Sequence, residues 1–201
     1  MFKKLLSLMC IAGIIVAGIP AICSYQVDAS GNTDYLMRVN AIETAEEWKV
    51  FAEENGIERD ASHDGFDVVG FEIDVDYANG TFDVNTVYAT GSRSTTTSGS
   101  AVHERYSDGG TLLFTLTVEG TFTRISGLSC TCTSATGSFT HPVASLWRST
   151  PSYLKGRKSA TKAYAKMYGT ATKTIGSGSI TYQFFLYCNA EGVLTSAYSE
   201  S

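Results

Sequence analysis

The sequence is poor in proline and in charged residues. It has 3 Pro and 19 Gly among 201 residues, and 17% of the residues are charged. Collagen-like chains need glycine at every third position, and disordered chains and coiled coils are much richer in charge, so these classes are excluded. The 43% of hydrophobic residues is enough to form a globular core.

Recognisable catalytic motifs are also lacking. The sequence has neither a nucleophile elbow nor a phosphate-binding glycine loop, and its three histidines do not have metal-ligand spacing. We therefore expect a noncatalytic protein without a cofactor, apart from the calcium considered below. An extracellular hydrolase is the alternative.

A single long apolar run is present, and it lies at the N-terminus. Residues 5–21 are apolar, follow Lys3 and Lys4, and precede a polar stretch. A basic segment followed by an apolar one and by small residues is typical of a secretory signal. We expect residues 1–29 to be a signal peptide that is cleaved after Ala29, or nearer Ala21, with an uncleaved anchor as the alternative. The mature protein is then secreted and extracellular.

The hydrophobic period changes once along the remaining chain. In the N-terminal segment 30–65, Thr44 and Glu47 form a capping-box pattern and Gly56 a glycine C-cap, which predicts one helix over about 45–55. From Phe66 onward apolar residues alternate with polar ones between turn signals. We expect residues 66–201 to form an antiparallel β-sandwich, or a barrel-like variant. Residues 91–100 contain seven Ser/Thr and are predicted to form a loop.

The best-defined local pattern is a hairpin over residues 71–88. Asn79 and Gly80 are typical of a two-residue type I′ turn. That turn would pair Tyr77 with Phe82 and place Asp76 directly opposite Asp83.

The carboxylates of this hairpin could bind a cation. Asp74 lies next to the Asp76 and Asp83 pair, and facing like charges are unfavourable without a counter-ion. Extracellular calcium takes such oxygen ligands. A solvated acidic face is the alternative interpretation.

Charge is divided unevenly between the two halves of the chain. Ser30 to Glu119 carry 17 acidic and 5 basic residues, a net charge of −12, whereas Gly120 to Ala190 carry 8 basic residues and no acidic one, a net charge of +8. Aromatic residues accompany the basic ones. The basic residues that we expect to bind polyanions are Arg148, Lys155, Arg157, Lys158, Lys162, Lys166 and Lys173.

This charge division has three interpretations. The basic half could bind cell-wall polymer, acidic glycan or an anionic membrane surface. The two halves could instead simply attract each other within one fold. A third interpretation is a bacteriocin-like or toxin-like cationic protein with an acidic pro-region that is removed.

Three cysteines remain after the predicted signal peptide. Alternation points Cys188 into the core and places Cys130 and Cys132 on one shared face. A two-residue loop at Ser126 and Gly127 would set Cys132 opposite Thr121, whereas a three-residue loop, which we favour, would set it opposite Phe122. In an oxidising compartment we expect a disulfide between Cys132 and Cys188 and a free Cys130. A zinc site formed by the three cysteines and His141 is a further alternative.

Two stretches carry a family resemblance. Residues 120–139, with the Cys-Thr-Cys sequence, and residues 184–192, Phe-Phe-Leu-Tyr-Cys-Asn-Ala-Glu-Gly, resemble small secreted all-β proteins of Gram-positive bacteria. The resemblance covers about the last hundred residues. It implies a sandwich and an extracellular location, and it implies no specific activity.

Overall fold

The structure, a computed structural model, describes residues 29–201, with side chains from residue 33 onward. The predicted signal segment lies outside these residues, apart from Ala29. Helix α1 (Ala29–Asn40) and helix α2 (Ala45–Asn55) precede ten strands. The strands are β1 (Asp67–Asp76), β2 (Thr81–Ser92), β3 (Thr96–Ser107), β4 (Leu112–Ile125), β5 (Ser129–Thr140), β6 (Trp147–Arg148), β7 (Ser152–Ser159), β8 (Lys162–Lys173), β9 (Ser179–Asn189) and β10 (Leu194–Glu200).

The strands form two antiparallel sheets, as the sequence predicts. Sheet A has the order β1-β2-β3-β4-β5. Sheet B has the order β10-β9-β8-β6, and β7 also pairs with β8. The protein is therefore mainly β and sandwich-like rather than a closed barrel. In residues 29–201, neither helix has the length and apolar character needed to cross a membrane.

Helix α2 has the predicted caps. The Thr44 side chain accepts a hydrogen bond from the Glu47 amide, and the Glu47 carboxylate accepts one from the Thr44 amide. Gly56 ends the helix with φ 65°, in the left-handed region that glycine favours. Helix α1 was not predicted.

Sheet A is covered on both faces. One face packs against sheet B in an inter-sheet core that contains Phe114, Leu116 and Phe184. The other packs against the helices in a helix-side core that includes Trp48 and Phe82. The apolar side of the 71–88 hairpin therefore meets the helices rather than the second sheet.

The register predicted for this hairpin is wrong by two residues. Val75 pairs with Phe82 and Asp74 with Asp83, so the turn spans four residues, 77–80. The Asp76 carboxylate causes the difference because it accepts hydrogen bonds from the amides of Ala78 and Asn79 and from the Asn79 side chain. A shift of two residues leaves the paired side chains on their predicted faces, whereas Tyr77, which was predicted to be part of the apolar face, lies in the turn and is exposed.

The predicted loop over 91–100 is also wrong. Gly91 pairs with Ser98 and Ser92 with Thr97, so β2 and β3 continue through this region into a short turn. The Ser98 and Thr121 hydroxyls lie 3.2 Å apart across neighbouring strands. Ser and Thr can pair in this way on a sheet, which a composition rule for loops does not consider.

Gly137 of β5 lies opposite Val118 of β4, close to the β4 backbone. A Cβ atom at this position would overlap the carbonyl oxygen of Thr117. We expect Gly137→Ala to lower the free energy of unfolding by about 1–3 kcal/mol, since backbone atoms cannot move aside as a side chain can. Chemical denaturation measures the effect.

Gly109→Ala is the matched control. No atom lies closer than 3.9 Å to a Cβ at Gly109, and its φ is outside the left-handed region. Its stability should stay within about 0.5 kcal/mol of the wild type. Equal effects of the two substitutions would contradict the close approach at Gly137.

Candidate functional site

The surface of sheet B that points away from sheet A carries contiguous aromatic side chains. Because side chains alternate along strands, Tyr164 and Tyr168 of β8 share this surface with Phe185 and Tyr187 of β9. The Phe185 and Tyr187 rings are stacked with centroids 5.4 Å apart. Tyr164 meets both rings edge-on, at 5.6 and 6.1 Å. The rings thus form one continuous apolar surface.

Three lysines lie over these rings. The Lys162 Nζ is 4.6 Å from the Tyr187 centroid, and the Lys158 Nζ is 5.6 Å from the same centroid. The Lys166 Nζ lies 5.0 Å from the Phe185 centroid and 5.1 Å from that of Tyr168. Such distances are within the range of cation–π attraction. We call the surface formed by Tyr164, Tyr168, Phe185, Tyr187, Lys158, Lys162 and Lys166 the aromatic–lysine face.

The position of the Tyr164 ring on this surface depends on Gly156. This residue of β7 pairs with Tyr164 of β8. A Cβ at Gly156 would lie 2.5 Å from the Tyr164 hydroxyl oxygen, so the ring lies directly across the glycine. Because glycine has no side chain, this position in β7 leaves room for the Tyr164 ring to lie along the sheet.

The other four predicted cations do not belong to this surface. The Lys155 ammonium donates to the Thr133 carbonyl at 2.8 Å, and Arg157 donates to the Thr131 hydroxyl, so both side chains join β7 to β5. Arg148 donates to carbonyls of its own loop, at Ser145 and Trp147. Lys173 lies 5.2 Å from the Trp147 ring centroid. The structure therefore brings together three of the seven predicted residues.

Two of the three carboxylates considered for calcium have protein partners. Asp76 caps the 77–80 turn, and Asp83 accepts two hydrogen bonds from Arg105, at 2.7 and 2.6 Å. Asp74, and not Asp76, faces Asp83 across the hairpin. Within residues 29–201, no three His, Cys, Asp or Glu side chains are grouped so that they could hold a metal ion.

A buried polar cluster between the sheets was missed by the sequence analysis. The Arg105 guanidinium joins Asp83 to Glu200, which it contacts at 2.7 Å. His103 is fully buried, its ring stacks on Tyr198 at 3.8 Å, and its Nδ1 is 2.9 Å from Asn85 Oδ1. In the sequence these polar residues alternate with apolar ones, and the same pattern is typical of a strand that has one face in solvent. The signal that could have revealed them is the cross-strand pairing of Asp83 with Arg105.

The three cysteines are buried thiols. The three-residue turn is confirmed, with Phe122 opposite Cys132 and Arg124 opposite Cys130. The three thiols are free, the Cys188 thiol donates to the Asn189 carbonyl at 3.4 Å, and of the other two thiols Cys130 acts more strongly on Cys188 than Cys132 does. The register leaves Cys130 and Cys132 on the same face, so only the stacking of the sheets decides which one meets Cys188. Burial raises the pKa of Cys188 to about 12.

We expect oxidation to join Cys188 to Cys130 rather than to Cys132. Loss of two protons and two electrons to a disulfide oxidant such as oxidised glutathione gives the bridge, and the nearer thiol should react first. Peptide mapping after oxidation and alkylation measures both products. Cys130→Ser should prevent most bridging and Cys132→Ser should not; the reverse pattern would contradict the expected pairing.

His103 should make the stability fall at acidic pH. Burial lowers its pKa from 6.5 to about 3, and the positive charge of Arg105 contributes, whereas Glu200 opposes the shift. Below pH 6.5 the unfolded chain binds a proton that the folded chain does not, so acid favours unfolding. Between pH 6.5 and 5 this residue should cost about 2 kcal/mol of stability.

Denaturation curves of the wild type and His103→Gln at several pH values test this expectation. Other titrating groups are shared, so the difference between the two proteins isolates His103. The variant should become relatively more stable as the pH falls. A difference that does not change with pH would contradict the assignment of a neutral, buried imidazole.

The aromatic–lysine face combines the exposed Lys158 and the half-buried Lys162 and Lys166 with contiguous aromatic rings, and the Lys166 ammonium also donates to the Gln183 side chain at 2.8 Å. The buried cluster, in contrast, pairs Arg105 with two carboxylates. Lys158, Lys162 and Lys166 form no ion pair with a carboxylate in the part of the chain that the structure describes. A scan of protein-family models, a search of curated proteins and a search of solved structures each gave no match to this chain.

Proposed function

We propose that this protein is a secreted, noncatalytic binding module whose aromatic–lysine face holds an anionic glycan or a similar polyanion at a cell surface. The observation that carries the proposal is the position of three ammonium groups over one contiguous aromatic surface. Ammonium groups attract carboxylate, sulfate or phosphate groups, and flat rings provide rigid apolar contact for the faces of sugar rings. The secretory signal predicted for residues 1–29 supports the proposed extracellular location.

The position of this face argues against simple attraction between the two charged halves. Most of the acidic residues lie in the helices and in sheet A, whereas the aromatic–lysine face points away from sheet A. Its lysines are therefore directed toward solvent and away from the carboxylates that could pair with them. No Asp or Glu occurs between Gly120 and Ala190, so the local field is positive.

The packing of the N-terminal half favours an intact binding module over a cationic protein with an acidic pro-region. Trp48 and Leu36 of the helices are buried against Phe82 and Val84 of sheet A. Removing residues before Phe66 would expose this apolar face to water. Exposure of such a face costs roughly 25 cal/mol for each Å² of apolar surface.

Heparin serves as the test polyanion. We expect Lys162→Ala combined with Lys166→Ala to weaken heparin binding at least tenfold at low salt, because two of the three ammonium groups are lost. Binding of the wild type should weaken as the salt concentration rises, since dissolved ions screen exposed charges and limit the range of their attraction to about 8 Å at physiological ionic strength. Isothermal titration calorimetry at several salt concentrations measures both effects.

The matched control removes two cations elsewhere, through Arg93→Ala combined with Lys173→Ala. This variant has the same net charge as the first and should change heparin affinity less than threefold. Tyr187→Ala keeps all the charges and should weaken heparin binding severalfold while leaving inorganic polyphosphate, which has no sugar rings, almost unaffected. Equal losses in the two double variants, or binding that is insensitive to salt, would refute the proposal.

A further inference from the structure

A cavity of about 550 Å³ lies on the opposite side of the molecule, where α2, the connection to β1 and the first three strands meet. Much of its wall is aromatic. The His63 ring is stacked on Tyr88 with centroids 4.9 Å apart, and Phe66 lies 6.1 Å from His63. Trp48 and Phe71 also line the cavity.

A buried carboxylate shares this cavity. Glu104 is 5% exposed, and it accepts a hydrogen bond from the Asp60 amide at 2.5 Å. None of the ion pairs among residues 29–201 includes Glu104. The guanidinium of Arg59 acts on Glu104 only through its field, because it donates two hydrogen bonds of 2.8 Å to Asp64. A buried carboxylate without a paired cation is unfavourable unless a ligand supplies one.

A second polar group at the cavity lacks a partner. Trp48 is 4% exposed, and its indole nitrogen has no hydrogen-bond acceptor among the described residues. Buried N–H groups are nearly always paired in folded proteins. This unpaired donor lies on a residue that lines the same cavity as Glu104.

We propose that this cavity binds an alkylammonium group, as found on a lysine side chain or a free diamine. The ammonium would pair with Glu104, and the aromatic walls would attract the cation and contact its aliphatic chain. The lining has an excess of negative charge, as a cationic ligand requires. Its charged residues are five carboxylates and two cations: Glu43, Glu46, Asp60, Asp64, Glu104, Lys49 and Arg59. The site is separate from the aromatic–lysine face and does not depend on its function.

Binding should depend on pH in a defined direction. Burial raises the pKa of Glu104 to about 7 and the charge of Asp60 adds to this shift, whereas the hydrogen bond from the Asp60 amide, the neighbouring Tyr106 hydroxyl and the charge of Arg59 oppose it. The cation is attracted by the ionised carboxylate, so affinity should rise between pH 5.5 and pH 8. His63 and Tyr88 also face the cavity, and the variant below separates their contribution from that of Glu104.

Isothermal titration calorimetry of the full chain with cadaverine and with Nα-acetyl-lysine methylamide tests the site. We expect the wild type to bind at least tenfold more tightly at pH 8 than at pH 5.5. Glu104→Gln should lose at least tenfold at pH 8 and should show little change with pH. Glu53→Gln removes an exposed carboxylate of α2 that does not line the cavity; it is the matched control and should change affinity less than threefold.

Several outcomes would overturn the proposal. These are a Glu104→Gln variant that keeps its affinity or its pH dependence, and binding of glutarate, the charge-reversed probe, that is as tight as that of cadaverine. If circular dichroism shows that Glu104→Gln is unfolded, Tyr88→Leu replaces it and should weaken amine binding severalfold; unchanged affinity would refute the site. Binding of either amine supports it, and the ratio of the two affinities identifies a peptide lysine or a free diamine as the source.

Discussion

The covering of sheet A on both faces is the constraint on which the rest of the structure depends. Its central strand β3 is buried almost throughout, with Tyr106 and Glu104 under the helices and Ala101 and His103 against sheet B. Alternation normally directs polar residues to water, but here both directions lead into a packed layer. Polar side chains on β2 and β3 must therefore find partners inside the protein.

Most of these groups are satisfied by charge pairing and stacking. Arg105 lies between two carboxylates, at Asp83 and Glu200, and its guanidinium carbon is 5.7 Å from the centroids of both Phe114 and Tyr198. Burying such a cluster carries a free-energy penalty because its charges lose their hydration. The cluster favours one specific packing only if every member is paired. Loss of one partner is therefore strongly destabilising, since it leaves a buried charge unpaired. Glu104 differs because it has hydrogen bonds without a counter-ion. Glu104 is therefore the buried charge on the helix side of sheet A for which a ligand would supply the missing counter-ion.

The sequence predicted well those features that local interactions determine. The caps of α2, the faces of the 71–88 hairpin and the three-residue turn before Cys130 all follow from neighbouring residues. The hairpin register was wrong because the Asp76 side chain caps a longer turn than Asn79 and Gly80 alone indicate. The partner of Cys188 stays a prediction for another reason, since strand alternation cannot distinguish two cysteines on the same face.

The candidate site was only partly predictable, for a similar reason. Clustering along the chain suggested seven cations, but the two faces of β7 divide neighbouring residues between different environments. Lys155 and Arg157 bond to β5, whereas Lys158, at the bulge between Arg157 and Ser159, lies over Tyr187. Assigning these residues requires knowing which side of sheet B is covered. That depends on the contact between β5 and β7, which are distant in sequence.

The two sheets therefore use their polar residues in opposite ways. Sheet A is covered twice and, apart from Glu104, pairs its buried charges internally, whereas sheet B is covered once and carries the aromatic–lysine face on its outer surface. Lysine stems can shield exposed aromatic rings from water while the ammonium groups remain solvated. The same arrangement places positive charge beside apolar contact area without a competing carboxylate. A polyanion that meets this face can therefore contact the rings without first displacing an internal salt bridge.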